Sequence, residues 1–286
     1  MCSIVPLVAR LLRFQFYNVI KIESGGYYIF FGHRIFFYNF KQLEEIKVER
    51  QFRAFRGGVA CIGDTLYFGE YFDNASRGEV NCYRLVDRQL SVFYQFPQGS
   101  IRHVHSINFN EFDQCLYVLT GDHGNEAKIV RFNTQGFEPE VLLEGNEDYR
   151  AIAIHFLETG FVYGTDAQFQ TNTFNYYDYQ TSEVSVLKEL DGPVFYCQPT
   201  NKGLLFSTVY EGAPAQQGRL VELFYFDNKT KSIQSVKNWA KDRFNTRYFQ
   251  FGYIKFPNYS KLESKTFVSA SGLVGFSSLL ELNIDE

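Results

Sequence analysis

The feature that most constrains this chain is a short aromatic run that keeps returning along it. It reads Tyr28-Ile29-Phe30-Phe31-Gly32-His33, then Leu66-Tyr67-Phe68-Gly69-Glu70, then Tyr117-Val118-Leu119-Thr120-Gly121-Asp122. It returns as Phe161-Val162-Tyr163-Gly164-Thr165-Asp166, and in weaker form as Leu204-Leu205-Phe206-Ser207-Thr208 and Thr266-Phe267-Val268-Ser269-Ala270. Measured at the small residue near its end, the copies lie 37, 52, 43, 43 and 62 residues apart. Repetition at this period marks a fold assembled from one supersecondary unit used several times.

The same order of elements surrounds the copies. A strand precedes the run (Val104–Phe109, Ala151–Phe156, Val194–Gln198) and an alternating strand follows it (Glu79–Leu85, Lys128–Phe132, Phe174–Tyr179, Leu220–Phe226). A polar turn comes next, such as Asn133-Thr134-Gln135 or Asp227-Asn228-Lys229-Thr230, and then a fourth strand. Four short antiparallel strands per unit is the pattern of a propeller blade. The expectation is therefore an all-β chain, a single β-propeller domain over residues 1–286 with about six four-stranded blades. The last unit shows three strands, Phe249–Phe256, Lys265–Ala270 and Ser277–Leu282, and the apolar stretch Val8–Phe14 is left over to complete it. Joining the N- and C-terminal strands in one blade would remove an open sheet edge. One helical turn is expected within Asn238–Phe244.

Composition agrees and excludes some functions. Among the 286 residues are 31 Phe and 20 Tyr against one Met and one Trp, and aromatic side chains suit pleated, half-buried strands. A formal charge of −4 lacks the basic excess of a duplex nucleic-acid binder. The five cysteines (Cys2, Cys61, Cys82, Cys115, Cys197) form no C-x-x-C pair and read as small buried hydrophobes. No segment has the length of a transmembrane helix, and Met1–Leu12 lacks the basic start and cleavage site of a signal peptide. The expected location is cytoplasmic.

The phase of the repeat brings distant residues together. The start of a blade's first strand and the end of its second lie on one face. The first position carries Arg56, Arg102, Arg150 and Arg247, spaced by 46, 48 and 97 residues. The second carries His33, Glu70, Asp122 with His123, and Asp166. His103 and His105 join them, two residues apart and so on one side of a strand. Guanidinium groups in such a ring either pair with the neighbouring carboxylates and tie blades together, or receive the carboxylate or sulfate of a ligand. The two imidazoles read in three ways: as general acid or base, as metal ligands with His123 or Asp122, or as hydrogen-bonded structural groups. No spacing matches an established metal-site signature, so neither a metal nor another cofactor is expected. Tyr71, Tyr149 and Tyr248 stand beside these positions, where a phenol moves a proton or stacks on a sugar ring.

The stretches Tyr67-Phe68-Gly69-Glu70-Tyr71, Ile101-Arg102-His103-Val104-His105-Ser106, Leu119-Thr120-Gly121-Asp122, Tyr163-Gly164-Thr165-Asp166 and Arg247-Tyr248-Phe249-Gln250-Phe251-Gly252 resemble sialidase-like, BNR-type propeller proteins of bacterial surface-polysaccharide systems. The resemblance spans roughly residues 55 to 256, without the full Asp-box motif Ser-x-Asp-x-Gly-x-x-Trp. It implies an arginine cluster on a sugar carboxylate with an acidic residue as proton donor, or the His, Tyr and Arg set of propeller polysaccharide lyases. The expectation is a carbohydrate-active propeller, glycoside hydrolase or polysaccharide lyase, acting on an acidic oligo- or polysaccharide. Arg56, Arg102, Arg150 and Arg247, with Asp166, Tyr71 and Tyr248, would bind the ligand. His103, His105, Asp122 and Glu70 would move protons. The alternative is a non-catalytic glycan-binding or scaffold propeller among polysaccharide-assembly proteins.

Overall fold

A computed structural model of the chain describes residues 6–11, 18–54, 58–256, 265–275 and 279–283. These residues are almost entirely strand and turn, arranged as the four-stranded antiparallel blades of a β-propeller. Five sheets have four strands each, and within every one the strands pair in simple sequence order. Their strands run from Asn18 to Ile46, Val59 to Phe96, His103 to Glu144, Ala151 to Leu190 and Val194 to Ala240. A further sheet has three strands, Tyr253–Lys255, Lys265–Ser271 and Leu279–Asn283. The expected count of about six four-stranded blades is corrected to five among the described residues.

The aromatic run is the second strand of its sheet, and burial on both faces explains its nearly continuous apolar character. Cys115–Gly121, Gly160–Thr165 and Gly203–Thr208 are buried at every residue. The fourth strand instead faces solvent along much of its length, as in Val184–Leu190 and Ile233–Ala240. The small residue that ends the run also has a cause. A Cβ on Gly69 would lie 2.4 Å from Val104 Cβ, and one on Gly164 would lie 2.4 Å from Val194 Cβ. The first strand of the following sheet passes too close for any side chain there.

By packing, the chain separates into two compact units, Phe16–Ile152 and Met1–Gln15 with Ala153–Glu286. In the first, one apolar layer lies between the first and second sheets, with Tyr28, Phe30, Leu66, Phe68 and Leu85. A second layer, between the second and third sheets, contains Val80, Cys82, Val104, Leu116 and Phe132. The other unit repeats the plan with Phe174, Phe206, Phe224 and Phe226 in one layer and Leu223, Trp239, Ile254 and Val268 in the next. Phe174 and Phe206 stack with centroids 4.1 Å apart. Each such ring contributes about 2–3 kcal/mol by leaving water.

The edge strands that close four of these sheets share a kink. One extra residue interrupts the pairing of the fourth strand with the third at Phe93, Leu142, Leu187 and Val236. Such bulges bend the strand and increase its twist.

Three expectations are corrected. Residues Pro6–Leu11 form a short helix, so the Val8–Phe14 strand does not exist over Val8–Leu11, and the remainder lies outside the described residues. Arg10 on that helix donates to Asp242 at 2.6 Å and to the Phe249 carbonyl at 3.0 Å, anchoring it by charge. The helical turn expected in Asn238–Phe244 lies at Thr246–Phe249, where Asn245 Oδ1 accepts from the Arg247 amide at 2.8 Å. That cap starts a helix where the first strand of the last sheet was expected, and the strand covers only Tyr253–Lys255. Cys61, Cys82, Cys115 and Cys197 are free thiols; Cys82 and Cys115 are buried as expected, whereas Cys61 and Cys197 are partly exposed.

Candidate functional site

The site lies in the unit Phe16–Ile152 and is built on the first strand of the third sheet, His103–Asn110. This strand pairs with Cys115–Gly121, and the register slips between Leu119 and Thr120. Leu119 faces Ser106 and Thr120 faces Val104, so His105 is the extra residue of a bulge. Bulges re-aim side chains and recur beside functional sites. Asp122 follows directly on the partner strand, at the end of the aromatic run.

His103, His105 and Asp122 are all buried. His103 Nε2 and His105 Nε2 stand 3.1 Å apart, and each lies 3.3 Å from Asp122 Oδ1. The opposite ring nitrogens face the backbone: His103 Nδ1 is 3.2 Å from the Phe72 carbonyl and His105 Nδ1 is 2.9 Å from that of Ala151. A carbonyl can only accept, so each Nδ1 carries a proton and donates it. In the neutral rings both Nε2 atoms then hold lone pairs turned towards each other and towards Asp122. Gly121 makes room for this, since a Cβ there would fall 2.5 Å from His105 Cε1.

Two arginines flank the carboxylate. Arg102 Nη1 donates to Asp122 Oδ2 at 2.9 Å while its Nη2 donates to Asp73 Oδ1 at 2.8 Å. Arg150 Nη2 lies 3.4 Å from Asp122 Oδ1, and its Nη1 lies 4.0 Å from Glu147. The Tyr71 ring lies against His103, with centroids 4.2 Å apart. Solvent meets the cluster at Arg102, whose side chain is 30% exposed, and at Asp73, 81% exposed.

The electrostatics follow from these contacts. Burial alone would raise the Asp122 carboxyl, but His103 and His105 beside it, in their protonated forms, hold it far below the usual carboxylate range. Burial pushes the His105 imidazole down, against the pull of Asp122, and so favours its neutral form. The Asp73 hydrogen bond, with Asp122 beside it, pushes the Arg102 guanidinium up.

Of the residues nominated by the repeat, the structure gathers Arg102, His103, His105, Asp122, Arg150 and Tyr71. Glu70 touches the same strand only through its backbone, its carbonyl accepting from the Val104 amide at 2.9 Å. Its buried carboxylate is engaged by Arg50 at 2.9 Å, the Asn81 amide at 2.8 Å and the Tyr83 hydroxyl at 2.8 Å. Asp166, Arg247 and Tyr248 belong to the other unit, Asp166 buried and Tyr248 exposed on the Thr246–Phe249 helix. Arg56 lies outside the described residues. Asp73, Glu147 and Arg50 were not foreseen, because none sits at a repeating position.

Fold and site together define a β-propeller with a histidine, arginine and carboxylate cluster at the end of one blade's second strand. No family model matches the chain, and no curated protein matches it. Solved structures do share the fold. An oligogalacturonate lyase from Vibrio parahaemolyticus aligns with a TM-score of 0.61 at 12% identity, over 92% of this chain and 76% of that one. An extracellular domain from B. thetaiotaomicron aligns at 0.59 and 15% identity over 93% of this chain, which spans only 32% of that protein. A second oligogalacturonate lyase, solved in complex with manganese, aligns at 0.53 and 11% identity, over 76% of this chain and 63% of that one.

Proposed function

We propose that this chain is a carbohydrate-active propeller that recognises an acidic glycan at the Arg102, His103, His105, Asp122, Arg150 and Tyr71 cluster, and that it cleaves a uronate-containing chain by elimination. The observation that carries this reading is the pairing of two imidazoles and two guanidiniums on one buried carboxylate, with a tyrosine ring against them. Elimination next to a uronate needs the sugar carboxylate neutralised and the proton on the adjacent carbon removed. Arg102 and Arg150 meet the anion, and a neutral imidazole or the Tyr71 phenolate accepts the proton. The glycosidic oxygen on the next carbon leaves with its bonding pair and picks up a proton as the double bond forms.

Carboxylate chemistry supports elimination over hydrolysis. A glycosidase of the two-carboxylate kind needs one carboxyl kept protonated near neutral pH. Asp122 is held ionised, and Glu70 is committed to Arg50, Asn81 and Tyr83. Two of the fold's solved relatives also carry the name oligogalacturonate lyase.

The test is incubation with oligogalacturonate and other uronate- or sialate-containing glycans, following both new reducing ends and the absorbance of unsaturated uronate. Unsaturated product is expected, falling about a hundredfold or more in His103→Ala and Arg102→Ala. Reducing ends without unsaturation would make the chain a hydrolase. Binding without any product, weakened in Arg102→Ala, would make it the glycan-binding or scaffold alternative.

A further inference from the structure

The three inward-facing atoms of the cluster pose a problem that a proton does not solve. His103 Nε2, His105 Nε2 and Asp122 Oδ1 form a nearly equilateral triangle with edges of 3.1, 3.3 and 3.3 Å. Both Nδ1 protons are spent on the carbonyls of Phe72 and Ala151. All three corners therefore present lone pairs to one another. One added proton bridges a single edge and leaves the other two as acceptor against acceptor. A cation above the triangle satisfies all three at once.

We propose that His103, His105 and Asp122 are the protein ligands of a divalent transition-metal ion. The triangle has the right size: a tetrahedral ion with bonds of about 2.0–2.1 Å holds its ligands about 3.3 Å apart. The surroundings are those of metal-binding histidines, whose second nitrogen donates to a carbonyl or carboxylate that fixes tautomer and ring orientation. Arg102 binds Asp122 through Oδ2, while Oδ1 faces both imidazoles with Arg150 Nη2 3.4 Å away. Among the described residues this is the group whose donor atoms converge for a metal, all within 4.8 Å of one another. Two nitrogens and one oxygen suit zinc above manganese, following the usual order of divalent affinities, and suit neither magnesium nor calcium, which prefer oxygen throughout. Three protein ligands leave a position for water or for an anionic group of a substrate.

This inference deepens the reading above and uses its residues, although the donor geometry alone carries it. With an ion in place both Nε2 atoms would be ligands, so proton removal would pass from the imidazoles to the Tyr71 phenolate.

The experiment strips the purified chain of residues 1–286 with a chelator and adds Zn²⁺ or Mn²⁺ alone, with no glycan present. Elemental analysis should find about one zinc per chain. The melting temperature should rise on the order of 5 °C at a hundredfold excess over Kd. Zinc affinity should fall at least about a hundredfold in His103→Gln and in His105→Gln. Failure of the folded wild-type chain to take up zinc or manganese overturns the proposal. So does a zinc affinity that both variants keep at the wild-type value. Should the variants not fold, cobalt(II) in the wild-type chain decides: the absorption of four-coordinate, nitrogen-ligated cobalt supports the site, and the aquo-ion spectrum alone overturns it. Metal uptake without turnover of any uronate sinks only the elimination reading, and turnover by a chain that takes up no metal sinks only this one.

Discussion

At the scale of single residues, the site depends on how little room surrounds His105. The ring is held on one side by the Ala151 carbonyl and on the other by the missing side chain of Gly121. A methyl group at Gly121 would meet His105 Cε1 at 2.5 Å and Arg150 Cγ at 3.3 Å, so ring or strand must shift. Gly121→Ala is expected to lose about 1–3 kcal/mol of stability, measured by urea denaturation. It should also weaken zinc binding, because displaced rings no longer share a triangle with Asp122. Much of this was legible in the sequence. Arg102, Arg150 and Asp122 share the phase of the repeat, and His103-x-His105 shares a strand face. What was hidden is the company each side chain keeps. Glu70 occupies the same phase as Asp122, yet Arg50 and Tyr83 claim its carboxylate, and nothing periodic marks either partner. The Phe72 and Ala151 carbonyls that set the histidine tautomers are backbone groups and leave no trace in residue types.

At the scale of elements, the turns between third and fourth strands were the most readable parts of the chain. In three of them an Asn or Asp side chain caps the amides that follow it: Asn133 accepts from Gly136 at 2.6 Å, Asp178 from Gln180 at 2.8 Å and Asp227 from Thr230 at 2.7 Å. Each turn then ends in a left-handed residue, Phe137, Ser182 or Lys231, with φ of 55°, 58° and 55°. Asx capping is the physical reason these residue types mark turns. Ser182 is exposed and its hydroxyl serves no need of the turn, so the left-handed strain can be relieved there. Ser182→Gly is expected to stabilise the unit that contains it by about 0.5–1 kcal/mol, checked by the denaturation midpoint at unchanged m-value. The elements that misled are the short ones. A six-residue helix at Pro6–Leu11 and a single turn at Thr246–Phe249 are too brief for hydrophobic periodicity to reveal, and both are fixed by individual polar contacts instead.

For the molecule as a whole, the first residues belong with the second half of the chain, in the unit that contains Ala153–Glu286. The apolar N-terminal stretch suggested a strand added to a sheet. In the structure its hold comes from Arg10 on Asp242, which is also bound by the buried Lys241. Burial would raise the Asp242 carboxyl, but the hydrogen bonds and charges of Arg10 and Lys241 outweigh it and keep the group below its ordinary value. A carboxylate with a lowered native pKa contributes stability that is complete above its unfolded value, near pH 4, and is lost as pH falls through the native value. Arg10→Ala should therefore destabilise this unit by about 1–2 kcal/mol at pH 7. The difference from the parent chain should shrink in denaturation curves taken between pH 4 and pH 2.

The kinked edge strands have a consequence for how copies of this molecule live beside each other. Beside the extra residues Phe93, Leu142, Leu187 and Val236, each rim presents a solvent-exposed valine: Val92, Val141, Val186 or Val236 itself. A straight strand with such apolar, β-prone positions would template a neighbour's backbone and grow sheets from chain to chain. The extra residue breaks the ladder of free amides and carbonyls at the point where an incoming strand would have to match it. An aromatic-rich protein made of short sheets thus keeps its neighbours from joining its rims at the cost of one unpaired residue in each of four strands.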